Sequence, residues 1–185
     1  DKVVELANRC GIECYREESG DVLTRDVLTR FYNCAKLFNA GTIVRITADC
    51  PAIDPQLIDI ALSYYREHPD YDLVTTTGSY PDGMDVEVFS FESLEEAVNK
   101  AILPEEREHV TPYFYHKYHK KVEILECPYS SFPGLKLSID TKKDLNYMRW
   151  LLSWLYKRHG VGFHLSDILS FALATPPPSY IFRGI

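Results

Sequence analysis

The sequence predicts an α/β protein, a mostly parallel sheet flanked by helices. β-Branched runs such as Thr42–Thr47 (TIVRIT) alternate along the chain with helical patterns such as Leu57, Ile58, Ala61, Leu62 and Tyr65. Strands separated by helices of ten or more residues need crossover connections, which align them in parallel. The 185 residues are 45% apolar and 25% charged, enough to bury one core, and no shift in composition marks a linker. A single domain over 1–185 is therefore expected, with Pro176-Pro177-Pro178 opening a tail over 176–185.

The elements follow in order. Val3, Val4, Leu6 and Ala7 place a helix over Lys2–Arg9, and Gly11 stops it. Ile12–Tyr15 reads as a short strand. Val27, Leu28, Phe31, Cys34, Ala35 and Phe38 recur at helical spacing up to Asn39-Ala40-Gly41. After the strand Thr42–Thr47, Asp54-Pro55 supplies a cap and a first-turn proline for the next helix. Tyr71–Thr75 is a further strand, followed by a loop over Thr76–Gly83. Met84–Phe89 alternates as a strand does, and Ser90 caps a helix from Phe91 to about Ala101. Helical signals return over Glu106–Tyr118. Val122–Leu125 and Leu135–Ile139 are the last strands, Lys142–Arg158 is a long amphipathic helix, and Ser166 starts a final one that the triple proline ends. The pentapeptide DVLTR occurs twice in succession, from Asp21 and from Asp26. Five residues advance a helix by about 500°, so the copies point in different directions and carry no repeat architecture.

A net charge of −7 argues against nucleic acid as the main partner, because phosphate backbones need a basic face. No run approaches the roughly 18 apolar residues of a membrane span, and the N-terminus lacks the pattern of a signal peptide. Five cysteines without paired Cys-x-x-Cys knuckles argue against structural zinc and for free thiols in a reducing cytoplasm. The aromatic residues at helical spacing, Tyr113, Tyr147, Trp150 and Trp154 among them, suit a core or a dimer surface.

Ligands of open α/β sheets collect at the carboxyl ends of strands. Two aspartates stand there: Asp49 after Thr42–Thr47, and Asp140 after Leu135–Ile139. Such carboxylates suit a hard cation, and Mg²⁺ commonly takes one or two of them plus substrate phosphates. Taken alone, Asp49 before Cys50-Pro51 also suits a turn, and Asp140-Thr141 also suits a helix cap. Asp82, Asp85 and Glu87 form a second acidic set. On a strand Met84–Phe89, Asp85 and Glu87 share one face and could contact substrate hydroxyls.

Four blocks carry a family resemblance: Arg45-Ile46-Thr47-Ala48-Asp49-Cys50-Pro51-Ala52-Ile53-Asp54-Pro55; Tyr80-Pro81-Asp82-Gly83-Met84-Asp85-Val86-Glu87-Val88-Phe89-Ser90-Phe91; Glu106-Arg107-Glu108-His109-Val110-Thr111-Pro112-Tyr113; and Ile139-Asp140-Thr141 with Asp144-Leu145. In this order they resemble the sugar cytidylyltransferases that activate keto-deoxy-octulosonate and sialic acid, and more closely the spore coat polysaccharide biosynthesis branch. The resemblance covers the chain from Asp1 to about Tyr156. It implies a nucleotide-diphosphosugar-transferase (Rossmann-like) fold and transfer of CMP from CTP to an acidic sugar, with release of pyrophosphate. Asp49 and Asp140 fall on the family's catalytic Mg²⁺-binding aspartates, and Thr47 and Ala48 fall beside the nucleotide. Some relatives carry glycine at Ala48, whose methyl narrows the approach there. Arg107, Glu108 and His109, with Asp82, Asp85 and Glu87, are the expected sugar contacts. A cytoplasmic homodimer that serves surface polysaccharide or glycoconjugate synthesis is the matching expectation.

The resemblance also implies a first strand and an Arg/Lys-bearing glycine loop that grips the triphosphate; the 185 residues hold no such segment, so either a longer protein is represented here in part, or another chain or a rearranged sheet fills the gap. The sequence is thus expected to lack its N-terminal strands and, as this chain alone, to turn over CTP poorly. Two other readings remain to be separated from the first: a glycosyltransferase of related fold that uses a finished nucleotide sugar, and a degenerate nucleotide- or sugar-binding module.

Overall fold

Four short strands, β1 (Thr42–Arg45), β2 (Leu73–Thr75), β3 (Glu87–Ser90) and β4 (Val122–Ile124), form one sheet in the order β1-β3-β2-β4. The computed structural model describes residues 2–17, 25–117, 119–129 and 135–175. Its helices are α1 (Lys2–Arg9), α2 (Val27–Leu37), α3 (Pro55–Glu67), α4 (Phe91–Lys100), α5 (Pro104–His109), α6 (Pro112–His116), α7 (Lys142–His159) and α8 (Leu165–Ala174). The α/β class is therefore the one the alternating patterns predict, an open sheet flanked by helices.

The strand directions differ from the mostly parallel sheet expected. β3 runs antiparallel to both β1 and β2, and only β2 and β4 are parallel. The reason lies between Thr75 and Glu87, where no helix intervenes. A connection without a crossover helix returns the chain alongside the strand it has just left. Thr76 secures this return: its hydroxyl donates to the Met84 carbonyl at 2.7 Å and accepts the Val86 amide at 2.8 Å.

Two further strands differ. Residues 12–17 are irregular, and Ile12 is exposed, since a strand without a pairing neighbour gains no ladder. Residues 135–139 form no regular strand: Lys136 pairs with Asp82 in an isolated bridge, although Leu135 and Leu137 are fully buried. The first DVLTR copy and the triple proline lie outside the described residues, apart from Arg25.

Contacts divide the chain into two compact units, Asp1–Gly41 with Phe91–His116, and Thr42–Ser90 with Lys117–Ile185. In the first, α2 packs on α4 and α5. Asp26 caps α2 by accepting the Thr29 amide at 3.0 Å. In the second, α3 packs on β2 and β3, and its cap is Asp54. The Asp54 carboxylate accepts the Gln56 amide at 2.9 Å, the Leu165 amide at 2.7 Å and a bond with His164 Nδ1 at 3.0 Å, so one buried side chain ties the starts of α3 and α8 together. α7 buries Tyr147, Met148, Leu151 and Leu155 on one face of the core. Burial of each Leu or Met there contributes roughly 1.5–3 kcal/mol.

Candidate active site

β1 ends at Arg45, and the chain then turns through Ile46-Thr47-Ala48-Asp49. The Cys50 amide donates to the Thr47 carbonyl at 3.2 Å, and the Cys50 sulfur lies 3.0 Å from Thr47 Oγ1 and 3.7 Å from Asp49 Oδ1. Thr47 and Asp49 are half-buried, and Ala48 is exposed. Burial pushes the Cys50 thiol up to about 11; the Thr47 hydroxyl opposes this, and the Asp49 and Asp85 carboxylates add to it. Asp85 and Asp49 thus both act on one sulfur, although 36 positions separate them in sequence.

The Asp82–Asp85 turn meets the segment ahead of α7. The Leu137 amide donates to the Asp82 carbonyl at 2.6 Å, and Asp85 accepts the Gly83 amide at 3.0 Å. Gly83 has φ +96, and a Cβ built on it would stand 2.5 Å from the Leu137 carbonyl carbon and 2.6 Å from the Ser138 nitrogen. Sequence alone accounts for this glycine as a turn residue; the structure adds a close approach of two backbones.

That same segment reaches the β1 loop, because the Ile139 amide donates to the Asp49 carbonyl at 2.9 Å. Asp140 follows directly, with its side chain half exposed. The structure thus brings the main chains that carry Asp49, Asp82, Asp85 and Asp140 together within one unit, as the sequence could not.

Beneath Asp140 lies a residue that sequence reasoning missed. Lys136, almost fully buried, places its ammonium 2.6 Å from Asp144 Oδ2, 3.1 Å from Asp140 Oδ2 and 3.1 Å from the Ser138 carbonyl. Burial by itself would lower the lysine's pKa, but the Asp144 and Asp140 carboxylates overcome it and hold the ammonium above its ordinary value. A single lysine in the alternating run Leu135-Lys136-Leu137-Ser138-Ile139 reads as a solvent-facing strand position. Its one clue was the acidic pair, Asp140 and Asp144, placed four and eight residues on.

Asp144 also forms the helix cap. Thr141 Oγ1 accepts its amide at 3.3 Å, and its carboxylate accepts the Asp140 amide at 3.0 Å and the Thr141 amide at 2.8 Å. Burial raises the Asp144 pKa, but Lys136 and these two amides outweigh it and hold the carboxyl at about 2. Its unfolded value is near 3.9, so between these values the unfolded chain binds more protons and stability rises with pH. The contribution is complete above about pH 4 and disappears as pH falls through about 2. The stability gap between wild type and Asp144→Asn, measured by urea denaturation, should therefore narrow steadily from pH 5 to pH 2. A gap independent of pH would contradict it.

Other candidates have internal partners. Glu87, on β3, is buried and forms an ion pair with Arg45 directly across from it on β1, while Asp85 precedes the strand rather than sharing its face. Arg107 donates to Asp26, to the Thr29 hydroxyl at 2.7 Å and to the Val98 carbonyl at 2.8 Å, so it ties α5 to α2 and α4. Burial works against it, but Arg107 and the Thr29 amide and hydroxyl hold the Asp26 carboxyl below its ordinary range. Glu108 and His109 are exposed on α5. Directly after them Val110, fully buried, adopts φ 73 and ψ −63, and the Thr111 amide closes a γ-turn on the His109 carbonyl at 2.9 Å. This hand of γ-turn is strained, especially for a β-branched residue. Arg107, Glu108 and His109 belong to the helical unit, and the aspartates belong to the sheet unit.

Among the described residues, no group of three or more His, Cys, Asp or Glu side chains is arranged to hold a metal. Two carboxylates that need further oxygens from a nucleotide and water are the donor set Mg²⁺ takes, and the residues present fit that ion.

A sequence profile of the cytidylyltransferase family matches residues 1–168. The chain belongs to the cytidylyltransferase family. It is 40% identical over 144 residues to an uncharacterized protein of Methanocaldococcus jannaschii, covering 77% of this chain and 56% of that one. It is also 30% identical over 129 residues to the spore coat polysaccharide biosynthesis protein SpsF of Bacillus subtilis, covering 68% and 52%. The structure is similar to that of a cytidylyltransferase from Leptospira borgpetersenii serovar Hardjo-bovis, with a TM-score of 0.85 and 26% identity, over 100% of this chain and 74% of that one. The chain spans about half the length of the curated relatives it matches. The resemblance read from the four sequence blocks is thereby borne out. Among the described residues no helix is long and apolar enough to cross a membrane, and all five cysteines are free thiols.

Proposed function

We propose that this chain carries the site of a nucleotidyltransferase that moves CMP from CTP to an acidic sugar. The observation that supports it most is the Ile139–Asp49 main-chain bond, which joins the loops of the two candidate metal aspartates. Family membership supports the nucleotide, and the resemblance of the four sequence blocks to enzymes that activate sugar acids supports the acceptor. Similarity to SpsF supports a role in surface polysaccharide or glycoconjugate synthesis. A cytoplasmic homodimer belongs to the same proposal.

In this reading a sugar hydroxyl attacks the α-phosphorus of CTP in line. The new P–O bond forms as the bond to the β-phosphate breaks, pyrophosphate leaves, and the hydroxyl proton passes to solvent. Asp49 and Asp140 would hold Mg²⁺, which supplies compensation for charge on the α-phosphate and the leaving oxygens. Thr47 and Ala48 lie along the nucleotide. Asp82 and Asp85 take the sugar's hydroxyl groups, and Glu87 acts through its pair with Arg45, which fixes the neighbouring backbone.

The test is chemical. The protein is incubated with Mg²⁺, CTP and a panel of 2-keto-3-deoxy sugar acids, and pyrophosphate and CMP-sugar are measured together. Equal amounts of both, dependent on acceptor and formed slowly by this chain alone, are expected. Release of a nucleoside diphosphate from a nucleotide sugar would instead identify a glycosyltransferase.

A further inference from the structure

Lys136 does not reach the surface, yet its charge lies against the candidate metal ligand. Its three ammonium hydrogens meet three acceptors: Asp144 at 2.6 Å, Asp140 at 3.1 Å and the Ser138 carbonyl at 3.1 Å. The ammonium is thus held in place by the start of α7 and by its own segment. With a side-chain exposure of 6%, it cannot swing away when Asp140 takes another partner. Any ion on Asp140 therefore experiences a fixed positive charge one carboxylate away.

That charge acts in opposite senses on the two forms in which a divalent metal can arrive. A bare dication is repelled. A metal–nucleoside triphosphate complex carries a net negative charge, and where hydrogen-bonded segments already carry Asp49, Asp82, Asp85 and Asp140 it needs positive charge to offset those carboxylates. We infer that Lys136 is a positioning residue that sets the site's selectivity: it weakens capture of the free metal ion and favours entry of the metal as its triphosphate complex. The inference rests on the reading of Asp140 as a metal ligand. It assigns the lysine no contact with substrate.

The test measures binding, with Mn²⁺ as the probe. Free Mn²⁺ is followed by electron paramagnetic resonance without nucleotide, and CTP binding is followed by calorimetry at saturating Mn²⁺. Lys136→Met is expected to tighten bare Mn²⁺ about fivefold and to weaken CTP about fivefold, whereas Lys136→Arg stays within about twofold of wild type for both. Asp144→Asn keeps an oxygen for the two capping amides and leaves the ammonium less neutralised. It should shift both affinities the other way, and it decides the matter if Lys136→Met does not fold. A purely structural lysine would weaken both affinities together. Parallel changes, or no change in either variant, overturn the inference. Asp140→Asn separates the two levels: if it leaves Mn²⁺ binding intact, the metal reading itself is wrong. If it abolishes binding while the Lys136 and Asp144 variants do nothing, only the role of Lys136 is lost.

Discussion

Asp49→Asn and Asp140→Asn should each reduce metal-dependent CTP binding by at least about 100-fold while leaving the fold intact. Replacing a residue that merely supports a metal ligand costs about 10–100-fold in affinity, so loss of a ligand's own charge should reach at least the upper end of that range. The folds should survive for different reasons. Asp49 is half-buried, and the structural bond it offers comes from its carbonyl, which asparagine keeps. Asp140 is half exposed, and its amide rather than its carboxylate joins the cap of α7. Asp140→Asn does remove one of the two carboxylates around Lys136, but Asp144 remains at 2.6 Å. Calorimetry with and without Mg²⁺ separates the outcomes. Affinity unchanged in both variants would remove the metal assignment and favour a nucleotide- or sugar-binding module without metal chemistry.

The largest effect on stability is expected at Gly83. Alanine there must keep φ near +96, which L-residues resist, and its Cβ would lie 2.5–2.8 Å from three main-chain atoms of Leu137 and Ser138. No flexible side chain can move aside. Strain at positive φ costs about 1–3 kcal/mol and overpacking a similar amount, so a loss of roughly 3–5 kcal/mol is expected. In a domain of this size that corresponds to a fall in Tm on the order of 10 °C. CTP binding should weaken too, since relieving the clash pushes Leu137–Ser138, and with them Asp140, away from the Asp82–Asp85 turn. A Tm within about 2 °C of wild type would show that the two backbones separate freely.

Much of this was legible in the residues because local chemistry decides it. α1 runs from Lys2 to Arg9 as the apolar spacing requires, and Gly11 stops it at φ +67. Thr141 and Asp54 cap the helices their positions suggest. What was hidden depends on partners distant in sequence. The direction of β3 follows from a missing crossover helix, not from its own alternating pattern. Glu87 looked like a substrate group because nothing local shows that Arg45 stands opposite it. Lys136 drew no assignment, because one lysine in a strand normally faces solvent, and only the fold places two carboxylates around it. The joining of Asp49 to Ile139 was inaccessible for the same reason, with 89 intervening positions.

The central claim is that Asp49 and Asp140 share one metal ion carried in with CTP. The direct measurement is anomalous diffraction from crystals of the protein grown with MnCl₂ and CTP. A single Mn²⁺ peak in contact with a carboxylate oxygen of Asp49, a carboxylate oxygen of Asp140 and the CTP phosphates is expected. A Mn²⁺ peak on the nucleotide that touches neither aspartate would contradict it.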